Sequence, residues 1–83
     1  MSRLLSTPRP LRVATDDYGK PVALLWRGRR DPVTVGNHWR LEGDWWRQRI
    51  AREYYRLLTK SGIVCTVYRD GGDGGWYLEK MLD

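Results

Sequence analysis

The chain has no phenylalanine, one cysteine, one histidine and three lysines among its 83 residues. A lone cysteine, Cys65, excludes a disulfide framework and a redox pair, and its place between Val64 and Thr66 suits a reducing compartment. A lone histidine, His38, excludes a histidine pair, and no zinc set with Cys65 or Ser/His/Asp arrangement can be argued from spacing. No catalytic residue, metal ligand or cofactor is expected. The only adjacent carboxylates, Asp16-Asp17, run into Tyr18-Gly19, which reads as a turn. No stretch approaches the roughly 18 apolar residues of a membrane-spanning helix, and Met1 to Ser6 has no apolar run of signal-peptide length. The expectation is a cytoplasmic protein.

What is present is arginine and aromatic surface. Twelve of the 15 basic residues are arginine, and the net charge is +5. Guanidinium forks suit phosphates and carboxylates. Five Trp and five Tyr must supply much of the core of so short a chain. With 41% hydrophobic and 30% charged residues, the composition is that of one folded domain.

Pro8 and Pro10 mark residues 1–10 as a flexible tail, so the domain is expected over 11–83. Leu11-Arg12-Val13, the Asp16–Gly19 turn, and Val22, Leu24 and Trp26 at period two read as strand, turn, strand. Beyond Gly28, Val33 and Val35 resume the alternation, and Trp39 and Leu41 follow Gly36-Asn37, suggesting a second hairpin kinked at Gly36. Residues 44–58 are ambiguous: Trp46, Ile50, Tyr54 and Leu58 fall at helical spacing, while Tyr55, Leu57 and Thr59 alternate. A compromise caps a short helix with Asp44 over Trp45 to Ala51 and opens a strand at Tyr54-Tyr55. Ile63 to Tyr68 is strongly β-prone, Gly71 to Gly75 is a connector, and Trp76-Tyr77-Leu78 opens a last strand. The fold expected is therefore all-β, with room for one short helix, in a small curved antiparallel sheet or barrel of about six strands.

The glycine-rich segment has no lysine and opens no helix, so it is a hairpin connection rather than a phosphate loop. Gln48 to Tyr55 superficially matches a sliding-clamp peptide, but Ala51 is too small for the hydrophobic plug. The candidate nucleic-acid contacts are Arg27, Arg29 and Arg30, followed by Arg47 and Arg49, since arginines track phosphates and exposed aromatics stack on unpaired bases. Trp45 and Trp46 are candidate anchors for a protein partner. Being adjacent, they point to different sides, so at least one belongs to the core. Glu42, Asp44 and Glu53 leave open a plain salt-bridged surface. An edge strand at either terminus can pair with a second copy, so a monomer or weak homodimer is expected.

Pro21-Val22-Ala23 through Trp26-Arg27-Gly28-Arg29, then Trp39, Trp45-Trp46, Arg52-Glu53-Tyr54-Tyr55-Arg56, Tyr68-Arg69-Asp70 and Trp76-Tyr77-Leu78 resemble a small bacterial family of uncharacterised domains. That family is similar to the C-terminal segment of ImuB, the catalytically inactive Y-family polymerase homologue of the bacterial mutasome. The resemblance implies a non-enzymatic adaptor in DNA repair or translesion synthesis, acting by contact with a protein of that machinery. The alternative is a self-contained module that binds single-stranded nucleic acid through an arginine and aromatic face.

Overall fold

In the computed structural model the backbone of residues 2–45 and 48–82 and the side chains of residues 8–44 and 50–81 are described. Six strands run in chain order: β1 (Ser2–Thr15), β2 (Pro21–Trp26), β3 (Arg29–Trp45), β4 (Gln48–Thr59), β5 (Val64–Asp70) and β6 (Trp76–Leu82). Each pairs antiparallel with the next, and β1 pairs with β6 to close a barrel. Among the described residues there is no helix, and so none long and apolar enough to cross a membrane.

The turns follow from their residues. Asp16 accepts the backbone N–H of Tyr18 at 2.8 Å and of Lys20 at 2.9 Å, fixing the β1–β2 connection. Arg27 (φ 53°) and Gly28 (φ 73°) form the two-residue β2–β3 turn, whose twist matches that of the strands it joins. The Gly71–Gly75 segment joins β5 to β6, with Asp70 and Asp73 each accepting a backbone N–H two residues on, from Gly72 and Gly75, at 2.7 Å.

The interior is filled by Leu24, Leu57, Cys65, Val67 and Leu78, with Leu11, Val13, Trp26, Val33, Val35, Tyr55, Trp76 and Met81 packed around them. Asp31, 5% exposed, ties one end together: it accepts Trp26 Nε1–H at 3.2 Å and the Ser61 hydroxyl at 2.7 Å. The Ser61 hydrogen bond, against the opposing effect of burial, holds the Asp31 carboxyl below its ordinary pKa.

Three expectations need correcting. Residues 1–10 are no tail: from Ser2 onward they are β1, paired to β6. The prolines sit where a missing donor costs least, Pro8 inside the register break between Leu4 and Arg9, and Pro10 before the β2 ladder begins at Arg12. The second hairpin is instead one 17-residue strand, β3, with an extra residue at Gly36 between the pairs Val35↔Leu57 and Asn37↔Arg56. The short helix over Trp45 to Ala51 is likewise absent, since β4 begins at Gln48 and Trp45 pairs with it. Spacing of four is also a multiple of the strand period, so Ile50, Tyr54 and Leu58 share a face of β4 without any helix.

Candidate nucleic-acid interface

In an antiparallel sheet, directly opposite residues share a face. Three rows therefore cross the outer face of β3 to β6. The central row is Trp39, Tyr54, Tyr68 and Tyr77. Trp39 stacks on Tyr54 with ring centroids 5.4 Å apart and planes 2° from parallel, Tyr54 meets Tyr68 at 5.1 Å, and Tyr68 meets Tyr77 at 5.3 Å. On one side runs Leu41, Arg52 and Asp70; on the other, Asn37, Arg56, Thr66 and Lys80. An aromatic row is thus flanked by cations on both sides.

Tyr54 and Tyr68 are nearly buried, at 6% and 4% exposure, whereas Trp39 is 38% exposed and Leu41 47%. The inner members form the platform, and Trp39 is the aromatic open to a ligand. Arg52 lies across the row: its guanidinium carbon is 4.6 Å from the Tyr68 ring centroid, and its Nη1–H donates to the Tyr54 hydroxyl at 3.3 Å. That hydrogen bond raises the Arg52 pKa, so the charge is permanent. Burial pushes the Tyr68 hydroxyl up, with Arg52 pulling it back. At the far end the Tyr77 hydroxyl donates to Asp73, which lowers the Asp73 pKa and raises that of Tyr77.

The residues singled out from the sequence fall elsewhere. Arg27, Arg29 and Arg30 are exposed at the β2–β3 turn, where Arg27 lies 5.3 Å from the Trp26 ring centroid. Trp45 closes β3 at the far end of the β3–β4 hairpin, and in an antiparallel meander successive turns alternate between the two ends. The two candidate sites are therefore not brought together. Trp46 and Arg47 lie outside the described residues, as do the side chains of Trp45 and Arg49. What the sequence reading missed was Trp39 as a surface aromatic, with Tyr77 and Lys80 on its face. The signal was there in β4: an apolar residue at nearly every position from Tyr54 to Leu58 means that both faces of the strand are in use.

Cys65 is 1% exposed inside the barrel, where burial pushes its thiol pKa up to about 11. Asp16 is occupied by its turn. His38 sits at the barrel mouth, stacked on Tyr55 at 4.5 Å and hydrogen-bonded to Glu53, which also holds Arg40 at 2.7 Å. The mouth is an open cleft of about 360 Å³ lined by Tyr18, Lys20, Val35, His38 and Tyr55. No cluster of three metal-ligating side chains occurs among the described residues.

Neither the curated proteins nor the solved structures contain a significant match to the chain. A family model does match, over residues 6–83, which takes in all but the first residues of β1. The protein therefore belongs to the domain of unknown function DUF6504.

Proposed function

We propose that this domain is a non-enzymatic module that binds single-stranded nucleic acid across the outer face of β3 to β6. The observation that carries the reading is the row from Trp39 to Tyr77 with Arg52 on one side and Arg56 and Lys80 on the other. An exposed ring backed by a rigid stack takes an unpaired base, and cations on either side take the phosphates. Asp70 is the one carboxylate in those rows, and its Oδ1 already accepts Gly72 N–H. The resemblance to the C-terminal segment of ImuB favours a setting in DNA repair or translesion synthesis.

A second reading, an adaptor gripping a protein of that machinery, is favoured by the β3–β4 hairpin. The β4–β5 ladder stops at Arg52, so residues 42–45 and 48–51 continue as a two-stranded arm with Trp45 near its tip.

The deciding experiment is fluorescence anisotropy with a labelled single-stranded oligonucleotide at low and near-physiological salt. Binding should weaken with a log–log salt slope of about −2, the value for roughly three phosphate contacts on a single strand. It should fall in the Arg56→Ala/Lys80→Ala double variant and survive in Arg29→Ala/Arg30→Ala. No binding at low salt refutes the reading and directs attention to the arm. Loss only in the Arg29/Arg30 variant moves the site to the β2–β3 turn.

A further inference from the structure

β1 and β6 pair with each other, but strands of unequal length leave stretches of edge uncovered among the described residues: β1 ahead of Arg12, which is interrupted by Pro8 and Pro10, and a longer stretch of β3 without proline. β2 pairs with β3 only as far as Pro32, so among the described residues no strand covers that side of β3 from Val33 to Trp45. Unpaired N–H and C=O groups along such an edge are a template for another strand.

The backbone groups that face outward can be identified. Lys60 N–H donates to Pro32 C=O at 2.8 Å, and Gly71 N–H donates to Ala51 C=O at 2.8 Å. Even-numbered residues of β4 therefore turn their backbone groups toward β3, and odd-numbered ones toward β5. After the Gly36 bulge, the β3 residues opposite the even set are Asn37, Trp39, Leu41 and Gly43. His38, Arg40, Glu42 and Asp44 consequently present their N–H and C=O to the open edge. The Asn37 side chain accepts the His38 N–H at 2.9 Å, capping the edge at that end. Arg40, Glu42 and Asp44 carry the free stretch.

We infer that this edge pairs antiparallel with the same edge of a second copy, in a two-fold register centred on Leu41. In that register Arg40 faces the partner's Glu42, Glu42 faces the partner's Arg40, and His38 faces the partner's Asp44. On the other face Leu41 meets the partner's Leu41, and Trp39 lies over the partner's Gly43. Both Arg–Glu pairs are of opposite sign, and the exposed apolar residues Trp39 and Leu41 fall together. Moving the centre by one residue destroys this: centring on Arg40 or Glu42 opposes like charges across the axis. Centring on Trp39 sets Arg40 and Glu42 against the partner's His38 and the partner's Gly36, with no opposite charge to meet either, and centring on Gly43 sets Glu42 against the partner's Asp44. Arg40 and Glu42 side chains are 63% and 47% exposed; within one chain Arg40 contacts Glu53 at 2.7 Å and Glu42 at 3.3 Å, both surface pairs that leave Arg40 donors and Glu42 oxygens open to a partner. Pairing would join two sheets edge to edge and double the outer face described above, without covering it.

The test is sedimentation velocity on the full chain, with no nucleic acid present, so that it stands apart from the proposed binding. The mass of the native protein should rise from 9.8 kDa toward twice that as its concentration approaches about 100 µM. Glu42→Arg, opposite Ala51 on β4, should remain folded by circular dichroism and stay monomeric. Arg40→Glu should be monomeric too. Mixed in equal amounts, the two variants should form a heterodimer, because each supplies the charge the other lacks. A native protein that stays monomeric at that concentration, a Glu42→Arg variant that dimerises as the native chain does, or a mixture of folded variants that stays monomeric overturns the inference.

Discussion

Trp39→Ala should weaken single-strand binding far more than it weakens the fold. With 38% of the residue exposed, roughly three-fifths of a tryptophan's surface is hidden, worth about 3 kcal/mol at about 25 cal/mol per Å² and nearer 2 kcal/mol once residual compactness of the unfolded chain is allowed for. A domain of this length has a stability of about 4–12 kcal/mol, so the variant stays folded with its melting temperature lowered by about 8–16 °C. Loss of one base stack costs about 1–3 kcal/mol of binding, roughly 5- to 150-fold in affinity. Thermal melts followed by circular dichroism and anisotropy titrations, both run well below the variant's melting temperature, measure the two effects separately. Trp39→Phe keeps a ring over Tyr54 and should recover most of the binding. A folded Trp39→Ala protein with native affinity would refute the stacking role, whatever its melting temperature.

Three further outcomes test the fold. Leu57→Ala, at a fully buried position (0% exposed) in the barrel core, should cost about 2–5 kcal/mol in urea unfolding, and a loss below about 1 kcal/mol would contradict its placement. Cys65, with its pKa near 11 against an ordinary 9.0, should react with a thiol reagent only when the barrel opens. At neutral pH it has about two orders of magnitude less thiolate than a free cysteine, so fast labelling of native protein would exclude a sealed interior. The depressed pKa of Asp31 contributes stability above its unfolded value of 3.8, and that contribution is lost as pH falls through the lower folded value. Unfolding titrations at pH 6 and below pH 3 should therefore show a smaller acid loss in Asp31→Asn than in the native chain, and equal losses would refute the coupling.

The alternation of Val22, Leu24 and Trp26, the Asp16 turn, the β-prone run to Tyr68 and the glycine connector determined an antiparallel, all-β chain, because those signals are local: side-chain period and backbone freedom at single positions. The same locality explains the failures. A spacing of four between Ile50, Tyr54 and Leu58 fits a helix and a strand equally, and only β3 on one side and β5 on the other made β4 a strand. The prolines of β1 argued against pairing, yet a register break and the late start of the β2 ladder accommodated them. Composition made arginine and aromatic residues the material of any interface, but the face they form depends on cross-strand register, which no stretch of sequence contains. Pairing alone set Trp39, Tyr54, Tyr68 and Tyr77 in one row, sent Arg27, Arg29 and Arg30 to the opposite end from Trp45, and left the edge of β3 open. Sequence fixes which residues are available to each strand, and closure of the barrel decides which of them become neighbours.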